Sequence, residues 1–209
     1  MCRRAFLESE TGAEIEDRQA ERFDLTAWLQ HEGLTGVVSP VEWQTLRSPI
    51  GQLPPDVAVI ASWQSEALVA LGWALGLSET MPPYQTAASP GPLLQIVPSP
   101  WEETRGWMNH ARLRDETTIV MERERAELWD WRGQTNEVNA EIQDVATEGH
   151  SAGLLPAPVT GDFAVDGSPY RDLPPADRET AAMVAEQRLR ALNWLCGYGD
   201  SWDDVPLDV

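Results

Sequence analysis

A carboxylate in the middle of an apolar segment is the first group in this sequence that could do chemistry. Glu66 lies within residues 57–75, where most side chains are apolar. A carboxylate buried on such a segment has to be protonated, hydrogen-bonded or paired with a cation. Arg188, Arg190 or Arg132 could supply a guanidinium group with two N–H donors. The sequence leaves three possibilities open: a buried ion pair that fixes how two helices pack, a polar pocket around Glu66, or an exposed Glu66.

Aromatic and polar side chains on two predicted helices, a central one over residues 57–75 and the last one over residues 178–196, could form the walls of such a pocket. An indole is large and flat, and it can donate one hydrogen bond, which suits a ligand pocket. The candidate pocket or buried polar residues are Glu66, Trp63, Trp73, Arg188, Arg190, Asn193 and Trp194.

The acidic C-terminal segment holds a second candidate site. Trp202 and Asp203 stand there among other carboxylates. An indole between charges either packs back on the protein or stays exposed as an anchor for a partner. We take both residues as candidate partner anchors, with a solvated acidic surface as the alternative.

Metal and cofactor chemistry find little support in the spacing of the remaining residues. His31, His110 and His150 are far apart, and none has a second histidine four positions away, the spacing typical of helical zinc sites. The chain has no lysine, which excludes a phosphate-binding loop of the usual kind, and it has no Gly-x-Gly-x-x-Gly motif. We therefore predict no metal and no cofactor, and the sequence leaves enzymatic activity uncertain.

Charge is the strongest constraint on partners. The chain of 209 residues carries 34 acidic and 15 basic residues, a formal net charge of -19. A surface of this sign repels phosphate backbones and anionic lipids, so we expect neither nucleic-acid nor membrane binding. The same surface favours a basic protein partner.

Cysteine content and the N-terminal residues predict a cytoplasmic protein. Cys2 and Cys196 are too few for a disulfide framework. The N-terminus lacks the apolar run of about 7 to 15 residues that a secretion signal requires. Three polar residues at 64–66 interrupt the apolar segment 57–75, which favours a helix buried in a soluble bundle over a membrane span.

Apolar periodicity and capping residues predict about six helices. Ser39-Pro40-Val41-Glu42 places a hydroxyl at the N-cap, proline at the first helical position and glutamate where it can accept from the cap N–H. Ser99-Pro100-Trp101-Glu102 repeats the pattern, and Asp177 is a candidate cap for the last helix. The predicted helices span residues 17–30, 40–46, 57–75 with Gly76 as its stop, 100–112, 114–147 with a break at Gly133, and 178–196.

Two segments without helical periodicity complete the predicted fold. Residues 82–100 are rich in proline and predict a crossing loop. Residues 149–176 predict an irregular segment or hairpin, because Asp166-Gly167 suits a tight turn; the calcium-loop pattern that starts at Asp162 lacks its key carboxylates. The fold class is mainly α: a single-domain helical bundle over residues 1–209 with Pro-rich loops and room for one small β-hairpin.

Two blocks of the sequence resemble a bacterial protein family. Residues 63–68, Trp-Gln-Ser-Glu-Ala-Leu, lead to Trp73-Ala74-Leu75-Gly76, which is similar to the Trp-Ala-Leu-Gly block of the family called domain of unknown function 4272. The arginine-rich segment 188–195, followed by Trp202-Asp203-Asp204-Val205, resembles the closing segment of that family. The resemblance implies a mostly helical single domain, and it implies no assigned activity.

These features favour a binding role. The first hypothesis is a soluble acidic binding or regulatory protein for a basic protein partner. The alternative is a small-ligand-binding protein or enzyme with an Arg/Glu/Trp pocket between the central and last helices. A structural or oligomer-forming domain built on the ten tryptophans is a third possibility.

Overall fold

The structure is a computed structural model that describes residues 1–135 and 140–208. The described chain is mainly helical with one small antiparallel hairpin, which confirms the predicted fold class. The helices are α1 (Cys2–Ser9), α2 (Ile15–His31), α3 (Pro40–Arg47), α4 (Pro55–Ala74), α5 (Gly91–Leu94), α6 (Thr104–His110), α7 (Glu116–Gln134), α8 (Ala140–Ser151) and α9 (Pro175–Leu195). The hairpin strands are β1 (Ala164–Val165) and β2 (Ser168–Pro169).

Helix α9 lies at the centre of the larger apolar core. It packs against α7 on one side and against α4 on another. Val184, Leu189 and Leu192 of α9 are fully buried, and each contributes about 1.5–3 kcal/mol through removal of its apolar surface from water. A smaller cluster around Leu25, Trp28 and Leu46 joins α2 to α3.

Helix α4 has a length and composition that would allow it to cross a membrane, and it is the one such helix among the described residues. It packs against α1 and α9, and its buried residues include Ala67, Ala70 and Trp73. The helix ends where Gly76 adopts a φ of 71° and the Leu77 N–H donates to the Gly72 carbonyl. This C-terminal glycine geometry is the stop that the sequence predicts.

Local capping explains where several helices begin. Ser39 and Glu42 form the predicted capping box at α3, with Pro40 at the first helical position. The Asp115 carboxylate accepts a hydrogen bond from the Thr118 backbone N–H and caps α7. In both cases a side-chain oxygen satisfies an N–H that has no partner within the helix.

Two predicted helix starts are displaced in the structure. Helix α6 begins at Thr104 rather than at residue 100, because Trp101 has a φ of 71° that a right-handed helix excludes. The Glu102 carboxylate still accepts from the Ser99 N–H, so half of the expected capping box forms. Helix α9 begins at Pro175, which places Asp177 in its first turn rather than at its cap.

The long predicted helix 114–147 is two helices, and the break is not at Gly133. Helix α7 continues through Gly133 to Gln134, and α8 begins at Ala140. A Cβ on Gly133 would lie 2.9 Å from the Cβ of Ala182 on α9. The glycine therefore serves the close approach of α7 and α9 rather than a chain break. Sequence periodicity also missed α1, which is only eight residues long.

The two predicted loop segments are ordered by a few contacts. Residues 82–100 hold the single-turn helix α5, and Tyr84 and Leu93 within this loop are buried. The hairpin turns at Asp166 and Gly167, both with positive φ, which is the backbone geometry that an Asp-Gly turn favours. The predicted hairpin is thus confirmed.

Candidate functional site

Glu66 and Arg188 form a buried ion pair between α4 and α9. Both side chains have no solvent exposure. The Arg188 Nη2 and Nε atoms donate to Glu66 Oε2 at 2.7 Å and 3.0 Å, while the Ala88 N–H donates to Glu66 Oε1 at 2.7 Å. The remaining Arg188 nitrogen, Nη1, donates to the Pro82 carbonyl at 2.5 Å. Backbone groups of the Pro-rich loop thus bond to both side chains of the pair. The ion pair therefore connects this loop to α4 and α9.

Tyr84 links this ion pair to a second buried carboxylate. The central carbon of the Arg188 guanidinium group lies 5.0 Å from the centre of the Tyr84 ring, and the Trp129 ring stacks on Tyr84 at 5.9 Å. The Tyr84 hydroxyl donates to Glu122 at 2.8 Å, and Arg125 forms an ion pair with the same carboxylate. Burial raises the pKa of Tyr84 well above its usual value, and the Glu122 carboxylate raises it further.

A cleft opens beside Tyr84 and Glu122. It has a volume of about 540 Å³, within the range of small-molecule sites. Burial raises the pKa of the Glu122 carboxyl, although Arg125 and Tyr84 stabilise its charged form. Arg125 also donates from Nε to the Leu154 carbonyl at 2.7 Å. The cleft therefore offers a carboxylate and a guanidinium group already held in place by the fold.

The other predicted pocket residues take part in different contacts. Asn193 is fully buried; it accepts from Arg123 at 2.7 Å and donates to the Pro206 carbonyl at 2.8 Å. Trp63 and Trp73 pack in the larger core, and Arg190 is half-buried. Trp194 is exposed and contacts Trp202 edge to face at 6.3 Å. The structure brings Glu66 and Arg188 together, but it ties Asn193 and Trp194 to the C-terminal segment.

The two candidate partner anchors are both used within the chain. Asp203 accepts from the Ser39 hydroxyl at 2.6 Å and from the Val41 N–H at 3.1 Å, at the start of α3. A carboxylate is favourable there because the helix dipole is positive at its N-terminus. Trp202 is half-buried and packs against the larger core. The C-terminal segment thus connects α9 to α3.

Arg132, the third arginine considered for Glu66, binds Asp162 instead. Its Nε and Nη2 atoms donate to the two Asp162 oxygens at 2.7 Å and 2.9 Å. Burial raises the pKa of Asp162, but the bonds from Arg132 and from the Arg171 and Phe163 N–H groups outweigh it, and the pKa is lowered. The sequence singled out Asp162 only as the start of an incomplete calcium-loop pattern, because nothing local signals a partner 30 positions away.

One motif escaped the sequence analysis. Gly149-His150-Ser151-Ala152-Gly153 fits the Gly-x-Ser-x-Gly pattern of hydrolase nucleophiles. Ser151 is the last residue of α8, and its hydroxyl donates to the Thr147 carbonyl at 2.9 Å. The His150 Nδ1 atom lies 3.1 Å from the Leu155 carbonyl. A nucleophile of this type requires a strand-to-helix turn and a base at the hydroxyl, and the described residues supply neither at Ser151.

The residues considered for metal or thiol chemistry are dispersed. The described residues contain no group of three or more His, Cys, Asp or Glu side chains arranged to hold a metal ion. Cys2 and Cys196 are free and half-buried, and burial raises the pKa of both thiols. A raised thiol pKa lowers the thiolate fraction and the reactivity.

The structure also contains a groove that the sequence does not predict. It lies between α1, α2 and the segment 94–101, with a volume of about 400 Å³. Arg3 Nη2 donates to the Ser99 hydroxyl at 3.0 Å, and Trp28 Nε1 donates to the Glu102 carbonyl at 3.0 Å, which holds the segment on the two helices. The apolar side chains along the groove are those of Phe6, Leu7, Leu25, Leu94, Pro100 and Trp101.

Comparison with known proteins identifies the family of the chain. The family described as Domain of unknown function (DUF4272) matches residues 7–151, from within α1 to the end of α8. The matched range contains Glu66 and the block that ends at Gly76, whereas Arg188 and the C-terminal segment lie beyond it. No curated protein and no solved structure is significantly similar to the chain. On this match over most of its length, the chain belongs to the DUF4272 family.

Proposed function

We propose that this protein is a cytoplasmic binding or regulatory protein for a basic protein partner. The observation that carries the proposal is the unequal placement of its charges. The carboxylates of the described residues are mostly exposed, whereas most guanidinium groups are buried or half-buried. The exposed arginines are Arg47, Arg105 and Arg112.

The less exposed guanidinium groups form hydrogen bonds and ion pairs within the protein. Arg4, Arg22 and Arg114 donate to backbone carbonyls, and Arg132 and Arg188 pair with buried carboxylates. The surface that meets a partner is therefore more negative than an even mixture of the 34 acidic and 15 basic residues would be. Such a field attracts a basic protein and speeds the encounter at low salt.

The test is capture of a partner at two salt concentrations, followed by reconstitution. Tagged protein is exposed to its native lysate at about 50 mM and about 500 mM salt, since the higher concentration screens exposed charges strongly. The proposal expects a basic protein that is retained at low salt, lost at high salt, and bound in a fixed ratio when both proteins are purified. Retention of acidic proteins only, or of nothing, would reject it.

A second candidate function, binding of a small ligand, is favoured by the cleft beside Tyr84 and Glu122. The cleft offers a buried carboxylate and a guanidinium group of limited exposure in about 540 Å³. The Glu122, Arg125 and Trp129 side chains of this cleft lie on α7 beside the Pro-rich loop. The sequence predicts such a pocket between the central and last helices instead. A ligand that binds only the folded protein raises its melting temperature.

A thermal-shift screen against small organic cations and anions tests this second candidate. We expect the rise in melting temperature caused by a true ligand to be lost in Glu122→Gln and Arg125→Met and kept in Glu124→Gln, whose side chain is exposed on the same helix. A rise that survives both cleft substitutions would place the ligand elsewhere.

A further inference from the structure

The groove between α1, α2 and residues 94–101 leaves large aromatic side chains in solvent. Phe6 is 61% exposed and Trp101 is 57% exposed, while Leu7 and Leu25 on the groove floor are buried. Exposed aromatic groups around a concave apolar site are typical of surfaces that bind another protein. This face of the molecule has apolar area that a partner would cover.

The same groove carries unpaired negative charge. Glu21 and Asp24 line it from α2, and both are exposed. Neither forms an ion pair within the described chain. The arginines of α2 bond to backbone carbonyls instead: Arg18 donates to the Leu7 carbonyl at 3.1 Å and Arg22 to the Arg47 carbonyl at 2.9 Å. Arg3 also lines the groove, where its Nη2 atom donates to the Ser99 hydroxyl at 3.0 Å. The groove therefore combines an apolar floor with two exposed carboxylates that form no ion pair among the described residues.

We infer that this groove binds an amphipathic basic segment of the partner protein. A large apolar side chain enters between Phe6 and Trp101, and Lys or Arg residues on either side of it pair with Glu21 and Asp24. The two carboxylates are three positions apart on one face of α2, so basic residues at helical spacing can reach both. Helix-in-groove binding of this kind uses apolar anchors for affinity and charges for register and encounter. The inference rests on the proposed function and adds the place and the form of the partner.

The geometry of Trp101 allows a clean test. Its φ of 71° is a conformation that glycine adopts freely, so Trp101→Gly removes the indole without backbone strain. Glu21→Gln with Asp24→Asn removes the groove charges and keeps side-chain size. The matched control is Glu141→Gln with Asp144→Asn, two exposed carboxylates on α8. Circular dichroism and urea unfolding establish that each variant is folded.

The probe is a labelled helical peptide with leucines along one face and lysines elsewhere; peptides with glutamate for lysine, or with the leucines dispersed, are its controls. We expect binding of the leucine-lysine peptide, measured by fluorescence anisotropy at about 50 mM salt, to weaken about tenfold in Trp101→Gly. We expect the charge variant to weaken it about fivefold and to reduce its dependence on salt. The α8 control should change it less than about twofold.

Other outcomes overturn the inference in distinguishable ways. Equal weakening by the groove and α8 charge variants would mean attraction by net charge alone, which leaves the proposed function standing and removes the groove. Failure of the peptide to bind, while a basic partner is captured from lysate and reconstituted, would have the same meaning. A concentration-dependent dimer, detected by sedimentation and lost in Trp101→Gly, would assign the groove to a second copy of the chain and overturn the inference.

Discussion

The Glu66 carboxylate and the Arg188 guanidinium group meet in the protein interior although they are 122 positions apart in the sequence. Each is fully buried, and each is also bonded to the loop that crosses between them. The pair holds three parts of the chain together: α4, α9 and the Pro-rich loop. Removal of the pair should therefore lower the free energy of unfolding.

We expect Glu66→Gln to lower the free energy of unfolding by about 3 kcal/mol, because it leaves the Arg188 charge buried without a counter-charge. The double variant Glu66→Gln with Arg188→Met should lose less than the sum of the two single variants. Urea unfolding measures all three, with exposed Glu124→Gln as the control. Additive losses would show that the two groups do not interact.

The Arg132–Asp162 pair should make stability depend on acidic pH. The pKa of Asp162 is lower in the folded protein than its ordinary value of 3.8, so its contribution is present above about pH 4 and is lost as the pH falls through the folded-state pKa. Asp162→Asn should cost about 2–4 kcal/mol at neutral pH and progressively less toward pH 3. Urea unfolding at both pH values checks this. Asp166→Asn, in the exposed hairpin turn, should show no such trend.

Asp130 should make stability depend on pH in the opposite direction, with a loss as the pH rises. Burial, with the charges of Glu186 and Glu127 nearby, raises its pKa from 3.8 to about 6. The folded protein thus binds this proton more tightly than the unfolded chain does, and the stability it contributes is lost as the pH rises from about 4 through about 6. Asp130→Asn should raise the free energy of unfolding by about 1–2 kcal/mol at pH 8 and change it little near pH 4.5. An equal effect at both pH values, or the same effect in exposed Asp144→Asn, would contradict this origin.

A side chain at position 133 should destabilise the contact between α7 and α9. A Cβ there would lie 2.9 Å from the Ala182 Cβ and 3.1 Å from its Cα, so the helices would have to separate. We expect Gly133→Ala to lower the free energy of unfolding by about 1–3 kcal/mol. Gly106→Ala in α6, where the added methyl group meets open space, should instead stabilise by about 0.5–1 kcal/mol. Thermal and urea unfolding of the two variants compare them directly.

Features that depend on neighbours a few residues away were predicted correctly from the sequence. The α3 capping box, the stop at Gly76 and the Asp166-Gly167 turn are each encoded within four or five residues. Where a local pattern failed, a tertiary requirement replaced it. Trp101 has a left-handed backbone that delays α6, and Gly133 serves helix packing rather than a break.

The choice of partners for the buried charges belongs to the tertiary structure. The sequence established that Glu66 on an apolar helix would have to be protonated, hydrogen-bonded or paired with a cation if it were buried, because a lone buried carboxylate is too costly. It did not select Arg188 over Arg132, since both can donate two N–H groups to a carboxylate. The packing of α9 on α4 brought Arg188 to Glu66, while α7 carried Arg132 to Asp162.

The sequence by itself determined a helical, strongly acidic chain with room for one short hairpin, because helical periodicity, turn chemistry and net charge are properties of neighbouring residues or of composition. Only the tertiary structure decided which charges face solvent and where the exposed groove lies. Both depend on contacts such as those between Arg3 and Ser99 or between Trp28 and Glu102, which join segments more than 70 positions apart. No local pattern specifies such contacts, because they form only when the helices have packed.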